Sequence, residues 1–125
     1  WFDRWQELSA LQKRTLLQAA GALVRALHNA GVIHNCLYPK HIFLKLHGDG
    51  AGARLIDLEK TRGAWFGQRD FVRDLETLNR RSTTPSRTQR MRFMLAYFGL
   101  RRLDADSKAL VRRLLARQAG KVAKR

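Results

Sequence analysis

Apolar side chains recur every three to four positions over the first quarter of the chain, which is the spacing of one helix face. Ser9 followed three residues later by Gln12 is a potential capping box, and Gly31 suits the end of a helix. The pattern therefore predicts a long helix from about Ala10 to Ala30. Its buried face comprises Leu16, Leu17, Ala20, Leu23, Val24 and Leu27.

After this helix the pattern changes to short apolar runs broken by turn residues. Val32-Ile33 is a β-branched pair, and the stretch from His34 to Lys40 has no clear period and predicts a loop. His41 to Leu46 and Arg54 to Leu58 predict two strands, joined by the glycine-rich turn Gly48 to Gly52. Together these segments predict a small hairpin below the long helix.

Three further helices are predicted after an irregular stretch at residues 59–69. The first runs from Asp70 to Arg81, and Thr84 before Pro85 predicts the N-cap of the second. The last runs from about Asp104 to Gln118, ahead of a basic end, Lys121 to Arg125, that we expect to fray. Their apolar faces are Phe71, Leu75 and Leu78; Phe93, Met94, Tyr97 and Phe98; and Leu110, Val111, Leu114 and Leu115.

Composition fits one globular domain over residues 1–125, because 45% of the residues are hydrophobic. No apolar run approaches the roughly 20 residues of a membrane span. We expect no signal peptide, because the start, Trp1 to Trp5, is charged and aromatic, and we expect an internal piece of a longer protein, because the chain lacks an initiator Met. Cys36 is the only cysteine, so no internal disulfide forms and a reducing compartment is expected.

The net charge of +15, from 25 Lys and Arg against 10 Asp and Glu, indicates an anionic partner. Nucleic acid, an anionic membrane surface and a phosphorylated substrate all satisfy that condition. No recognition motif supports nucleic acid, which would show steep salt dependence. Many of the cations are arginines in the predicted last helices: Arg87, Arg90, Arg92, Arg101, Arg102, Arg112, Arg113 and Arg117.

Two segments carry the chemistry, Leu27 to Leu44 and Leu55 to Glu59. A helix ending in LHxxGVIH, a loop, a strand pair and then IDLE resembles the catalytic core of protein-kinase-like enzymes, where H-x-D-L-x-x-x-N precedes a metal-binding Asp. The chain has His41 where protein kinases have the loop Asn, and Asp57-Leu58-Glu59 where they have DFG. In these two respects it resembles the lipopolysaccharide kinases more closely than the protein kinases.

The resemblance, which covers about residues 10–80, implies a mainly α fold with a small β-hairpin. This is the α+β C-terminal lobe of a kinase-like protein, with the N-terminal lobe absent from this chain. The catalytic and metal loops would occupy residues 28–60, and the helical remainder residues 70–120. No glycine-rich nucleotide loop or strand Lys is present, so ATP and Mg²⁺ would need the missing lobe.

The resemblance also implies roles for individual residues. Asp57 would bind Mg²⁺, and Lys40 would contact phosphate or be a solvated surface charge. His41 would be a metal ligand or, since imidazole is a poor ligand for a hard cation, a contact for phosphate or substrate. The alternative for His41 is a hydrogen bond that supports the loop. His34 would support the loop or orient the acceptor. Asp74 would be a structural anchor for the backbone of the catalytic loop.

The main departure from the kinase pattern is Cys36, which stands where the Asp that accepts the substrate hydroxyl's proton is expected. A thiol is a weak hydrogen-bond partner, so His34, His41 or Glu59 would have to orient the acceptor. If none does, the domain is a pseudokinase. The alternative to a reactive thiol is that Cys36 is a small buried apolar residue.

The expected function is an ATP-dependent phosphotransferase that acts on a sugar of the lipopolysaccharide inner core. Its partners would be an anionic sugar or lipopolysaccharide, in the cytoplasm or peripherally at the inner membrane. The alternatives are a pseudokinase or stress-related binding module on the kinase fold and, less favoured, a basic nucleic-acid-binding domain.

Overall fold

The computed structural model describes the backbone of residues 2–48 and 50–123 and the side chains of residues 5–48 and 50–116. A 3-10 helix, Phe2–Glu7, precedes four α-helices and four short strands in the described chain. The helices are α1 (Ala10–Asn29), α2 (Gln68–Arg81), α3 (Arg87–Phe98) and α4 (Ala105–Ala123). The strands are β1 (Val32–Ile33), β2 (Ile42–His47), β3 (Gly50–Leu55) and β4 (Arg62–Gly63). The mainly helical prediction with a small hairpin is thus confirmed.

Helix α1 begins at the predicted capping box. The Ser9 hydroxyl accepts from the backbone N–H of Gln12 at 3.1 Å, and the Gln12 side chain accepts from the N–H of Ser9 at 2.9 Å. The helix ends before Gly31, whose φ of +75° favours glycine. Its buried face comprises Leu16, Leu17, Ala20, Gly21, Val24 and His28.

Helices α1 and α3 pack closely where α1 has no side chain. A Cβ placed on Gly21 would lie 2.5 Å from the carbonyl oxygen of Phe93 and 2.8 Å from the Cβ of Ala96. Only glycine therefore allows this approach, which brings α3 against the same helix that leads into the catalytic loop.

The four strands form two separate antiparallel pairs, β1 with β4 and β2 with β3. In the hairpin Ile42 pairs with Leu55 and His47 with Gly50, so the return strand spans 50–55 and the predicted span 54–58 is wrong. Gly50 and Gly52 lie in the strand because the turn is tighter than expected. A Cβ on Gly52 would lie 3.1 Å from the His47 ring.

Two other boundaries differ from the sequence prediction. His41 ends a 3-10 helix, Pro39–His41, instead of starting β2. Part of the stretch predicted as irregular forms β4, whose Arg62 pairs with Ile33 of β1. Neither β1 nor β4, with two residues each, is long enough to show a period of two, so pattern alone could not separate them from loop.

The sequence predicted Thr84 as the N-cap of α3. In the structure the N-cap is Ser86. Ser86 and Gln89 form a second capping box, with bonds of 3.2 and 2.8 Å. Asp104 precedes α4 and accepts from the backbone N–H of Ser107 at 2.9 Å. Helix α4 continues to Ala123, beyond the predicted end, and the side chains of the predicted frayed end lie outside the described residues.

The main core joins all four helices to the loop between β1 and β2. Leu37 of that loop and Ile42 of β2 are 0% and 2% exposed and pack with residues of each helix. Leu115, predicted as core, is 50% exposed. The helical members of the core are Ala20, Val24, Val72, Leu75, Leu78, Tyr97, Leu110 and Leu114. In the described chain, no helix combines the length and apolar character needed to cross a bilayer.

Candidate functional site

Asp74 of α2 holds the backbone of the loop that follows β1. Its carboxylate accepts from the N–H of His34 and from the N–H of Asn35, both at 2.9 Å. Asn35 has a φ of +66°, a conformation that costs energy outside glycine and concentrates at functional sites. Asp74 is 2% exposed, so these bonds form away from water. The geometry is the one that the anchor role requires.

The same carboxylate reaches α1 and α3 through a buried histidine. His28 Nε2 lies 2.9 Å from Asp74 Oδ2, and its Nδ1 lies 2.5 Å from the Tyr97 hydroxyl. Because the carboxylate only accepts, Nε2 carries the proton and Tyr97 donates to Nδ1. Burial, together with the nearby charge of Asp74, raises the pKa of the Tyr97 hydroxyl. The loop is therefore tied to three helices.

His34 lies inside the site and not at its surface. It is 0% exposed, and its Nε2 donates to the carbonyl oxygen of Ile56 at 2.9 Å. That bond joins the catalytic-loop segment to the residue immediately before Asp57. Within the described residues, Nδ1 of His34 is buried without a hydrogen-bond partner. The position matches a residue that supports the loop.

His41 bridges the two segments that the sequence singled out. Its Nδ1 lies 2.7 Å from the carbonyl oxygen of Cys36, and its Nε2 lies 3.1 Å from Asp57 Oδ2. Both neighbours are acceptors, so both contacts are hydrogen bonds only when the imidazole carries two protons. If the His41 imidazole carries one proton, Nδ1 donates it to the Cys36 carbonyl oxygen. The lone pair of Nε2 and the Asp57 carboxylate then face the same space.

Asp57 combines an unusual backbone with an accessible carboxylate. Its φ of +59° and ψ of +61° are left-handed, a strained state for a residue other than glycine. Its side chain is 49% exposed, whereas that of His41 is 6% exposed. Asp57 thus presents a carboxylate towards solvent, and His41 lies beside it on the protein side.

Cys36 contributes its backbone to the site. Its carbonyl oxygen accepts from His41, and the free cysteine is half-buried. The sequence allowed a small buried apolar residue here, whereas the observed position is only half-buried. The thiol is partly accessible on the loop between His34 and His41, where the kinase pattern has a carboxylate.

A stack of rings runs from His34 through His41 to Tyr38. The centroids of His34 and His41 are 5.3 Å apart, and those of His41 and Tyr38 are 5.5 Å apart with planes at 17°. Lys40 Nζ lies 5.7 Å from the centroid of the Tyr38 ring, and the guanidinium carbon of Arg81 lies 4.8 Å from it. The sequence prediction omitted Tyr38 and Arg81.

An ion pair fixes the segment that follows Asp57. Two Arg62 nitrogens donate to the Asp70 carboxylate at 3.0 and 3.1 Å, and the N–H of Phe66 donates to it at 3.0 Å. The hydrogen bond from Arg62, assisted by the N–H of Phe66, lowers the pKa of Asp70. Asp70 is 3% exposed. This pair was also missed, because an Arg eight residues before an Asp carries no local signal.

The donor set fits part of a Mg²⁺ site. No group of three or more His, Cys, Asp or Glu side chains that could hold a metal occurs in the described residues. The 3.1 Å between Asp57 Oδ2 and His41 Nε2 is close to the spacing of neighbouring ligands around an octahedral ion with bonds of about 2.1 Å. Asp57 supplies the oxygen that Mg²⁺ prefers, and His41 is the weaker candidate.

The fold thus brings together most of the residues predicted from the sequence. His34, Cys36 and His41 lie on one loop, Asp57 meets His41, and Asp74 supports the loop from below. Lys40 is exposed beside Tyr38. Glu59, the least favoured candidate for orienting an acceptor, is exposed in the 3-10 helix Leu58–Lys60.

Comparisons with known proteins agree with this geometry. The chain matches a solved structure described as WaaP in complex with acyl carrier protein, with a TM-score of 0.77 and 27% sequence identity. The match covers 98% of this chain and 54% of that one, so this chain spans about half the length of its solved relative. A search of curated proteins finds no match. The model of the lipopolysaccharide kinase (Kdo/WaaP) family matches residues 1–97. Since that match covers most of the chain, the chain belongs to the lipopolysaccharide kinase (Kdo/WaaP) family.

Proposed function

We propose that the chain is the C-terminal lobe of an ATP-dependent kinase that phosphorylates a sugar of the lipopolysaccharide inner core. The observation that carries this proposal is the contact of His41 with both Cys36 and Asp57. It joins the catalytic-loop segment to the metal-loop segment in the order expected of a kinase-like enzyme. Membership of the family supports the class of substrate.

Each residue has a task that follows from phosphoryl transfer, in which positioning and charge neutralisation do most of the work. Asp57 would hold Mg²⁺, which when bound neutralises charge on the nucleotide phosphates. His41, when it carries both protons, would orient the Asp57 carboxylate by a hydrogen bond, and Asp74 keeps the loop backbone in its strained conformation. The other half of the nucleotide site would come from the N-terminal lobe, as in kinases generally.

The test is phosphate transfer by the full-length protein from Mg-ATP to deacylated core oligosaccharide. We expect Asp57→Asn to lower the rate by at least about 100-fold, since a catalytic metal contributes several kcal/mol. Glu59→Gln is the matched control, because it removes an exposed carboxylate two residues away. Absence of transfer by the wild type, with Asp57→Asn binding nucleotide as well as the wild type, would refute the proposal.

Cys36 supports a second candidate, a pseudokinase or stress-related binding module on the same fold. The half-buried thiol occupies the expected position of the general base, whose loss typically lowers rates by about 10²–10⁴. Cys36→Asp separates the two candidates. A large gain in transfer would show that the natural protein is not built for catalysis. An unchanged rate in an active enzyme would show that another group, such as His34 or His41, orients the acceptor.

An acyl carrier protein is a further candidate partner, because the solved relative is described as a complex with one. In this chain a groove of about 400 Å³ lies between α1, α2, α3 and α4, with an apolar lining that includes Met91, Met94 and Leu115. Arg87 and Arg90 also line it. That volume lies in the range of small-molecule sites, and the lining suits an acyl chain with an anionic attachment.

Binding of purified acyl carrier protein, with and without an acyl chain, tests this partner. We expect Leu115→Asp to weaken binding of the acylated form, because it places a charge in the apolar lining. Leu11→Asp is the control, since Leu11 is 71% exposed on α1 and does not line the groove. Equal binding of the acylated and unacylated forms would exclude the groove as the site.

A lipid-linked substrate would place the protein in the cytoplasm at the inner membrane. The net charge of +15 favours an anionic surface, with roughly 1 kcal/mol for each Lys or Arg that approaches it. Flotation with vesicles containing anionic lipid, compared with zwitterionic vesicles, measures this attraction. Equal recovery with both vesicle types would contradict it.

A further inference from the structure

The loop and α2 together place two cations against one aromatic ring beside the candidate catalytic residues. Tyr38 is held in the stack with His41, at 5.5 Å and 17° between planes, and the next residue, Pro39, is buried. The ring therefore has little freedom. Lys40 Nζ at 5.7 Å and the Arg81 guanidinium at 4.8 Å both lie within cation–π range of it.

Helix α2 explains why Arg81 reaches the loop. Asp74 and Arg81 are seven residues apart, which is two turns and about 10 Å along the same helix face. Asp74 fixes the start of the loop through His34 and Asn35, and Arg81 in the last turn meets Tyr38 three residues further along. The same face carries the buried Leu78 between them, so the register of α2 sets both contacts.

Within the part of the chain that the structure describes, neither cation forms an ion pair with an acidic side chain. Among the described residues, the salt bridges are those of His28 with Asp74, His41 with Asp57, and Arg62 with Asp70. Lys40 and Arg81 belong to none of them and are both exposed. Two like charges held near one ring repel each other, and a bound anion would relieve that repulsion. The planar guanidinium also matches the oxygens of a phosphate or carboxylate.

We propose that Lys40, Tyr38 and Arg81 form a subsite for an anionic group of the acceptor, a sugar phosphate or sugar carboxylate. Arg81 contacts Tyr38, Tyr38 stacks on His41, and His41 contacts Asp57, so we assign the anion at Arg81 to the acceptor and the nucleotide phosphates to Asp57. Lys40, expected from the sequence to contact phosphate, takes the acceptor's anion in this arrangement. The subsite rests on the proposed function and specifies which part of the acceptor is recognised.

Calorimetric titration of the full-length protein with deacylated core oligosaccharide, and separately with Mg-ATP, tests the subsite. We expect Arg81→Gln to raise the Kd for the oligosaccharide about tenfold or more, the value for losing one charge-assisted hydrogen bond. Lys40→Gln should act in the same direction, and Arg81→Lys should recover part of the loss. The Kd for Mg-ATP should not change in any of these variants.

Arg73→Gln is the matched control, because Arg73 is an exposed arginine of α2 that makes no contact with Tyr38. It lowers the net charge equally and should leave both Kd values unchanged. The source of the anion is separated by two further ligands, phosphatase-treated oligosaccharide and a sugar acid that carries only a carboxylate. The ligand whose binding depends on Arg81 carries the recognised group.

The outcomes separate this proposal from the proposed function. If the wild type binds oligosaccharide and Arg81→Gln binds it equally well, the subsite is wrong and the kinase proposal stands. If Arg81→Gln weakens Mg-ATP instead, the cations serve the nucleotide and the subsite is also wrong. If the wild type binds no oligosaccharide and transfers no phosphate, both proposals fail. Thermal melting of each variant checks that the fold is intact.

Discussion

Replacing Asp74 by Asn should uncouple the catalytic loop from the helical core. The carboxylate accepts three hydrogen bonds of 2.9 Å, two at Oδ2 from His28 and His34 and one at Oδ1 from Asn35. An amide has one acceptor oxygen, so at best two of these bonds survive without charge assistance. In that case the amide N–H₂ faces the Asn35 N–H, donor against donor.

The magnitude follows from these three contacts. Each surviving bond weakens by about 1 kcal/mol when its charged partner becomes neutral, and a buried unsatisfied N–H costs roughly 1–3 kcal/mol. Removing a buried charge returns part of this sum. We therefore expect the free energy of unfolding to fall by about 3 kcal/mol, a large share of the roughly 5–15 kcal/mol typical of a domain.

Urea unfolding of the wild type and Asp74→Asn measures the difference, and Asp106→Asn is the control because Asp106 is exposed. Transfer activity should fall further than the folded fraction does, since the strained backbone at Asn35 depends on Asp74. The reasoning is refuted if Asp74→Asn unfolds at the same urea concentration as the wild type. It is also refuted if the control loses as much stability.

Three further predictions concern the residues that support the site. Tyr97→Phe should cost roughly 1–2 kcal/mol in urea unfolding, because His28 Nδ1 loses its donor in a buried position; additivity with Asp74→Asn would contradict a shared network. Gly21→Ala should lower the melting temperature, since its Cβ would lie 2.5 Å from the Phe93 oxygen, at a cost of roughly 1–3 kcal/mol, whereas Ala22→Ser at an exposed neighbouring position should not. Asp70→Asn should lower the melting temperature at neutral pH, because the ion pair that depresses the folded-state pKa of Asp70 stabilises the fold above the unfolded pKa of about 3.9. That stabilisation is lost as the pH falls through the lowered folded-state pKa, so the gap to the wild type should close in acid, and a gap that persists there would contradict the ion pair as its cause.

Local sequence signals were enough to predict features formed by residues a few positions apart in the chain. The capping box of Ser9 with Gln12 and the stripe of α1 are of this kind, since hydrogen bonds and helical spacing link residues three and four apart. The same signal was present at Ser86 and Gln89. The sequence nevertheless predicted Thr84, before Pro85, as the N-cap. Sequence alone cannot decide which of two nearby capping residues accepts from the first N–H groups of the helix.

The motifs also placed Asp57, His41 and Asp74 on segments that the fold brings together, because their order along the chain is part of the pattern. Sequence could not supply the contacts of Arg62 with Asp70 or of Arg81 with Tyr38. Such contacts depend on helix register and on the path of a loop, and both are set by packing. The partial burial of Cys36 also depends on this packing.

Sequence by itself determined the helical stripes, the first cap, the hairpin and the order of the chemical groups, since these follow from local hydrogen bonding and hydrophobic spacing. Tertiary structure decided that Asp74 accepts from the loop backbone, that His41 faces Asp57, and that Lys40 and Arg81 both lie over the Tyr38 ring. The physical reason is that a side chain's partner is chosen by distance after the core has packed. His34 and Asn35, which are 40 and 39 positions before Asp74 in the chain, then lie 2.9 Å from its carboxylate oxygens, a proximity that no local pattern records.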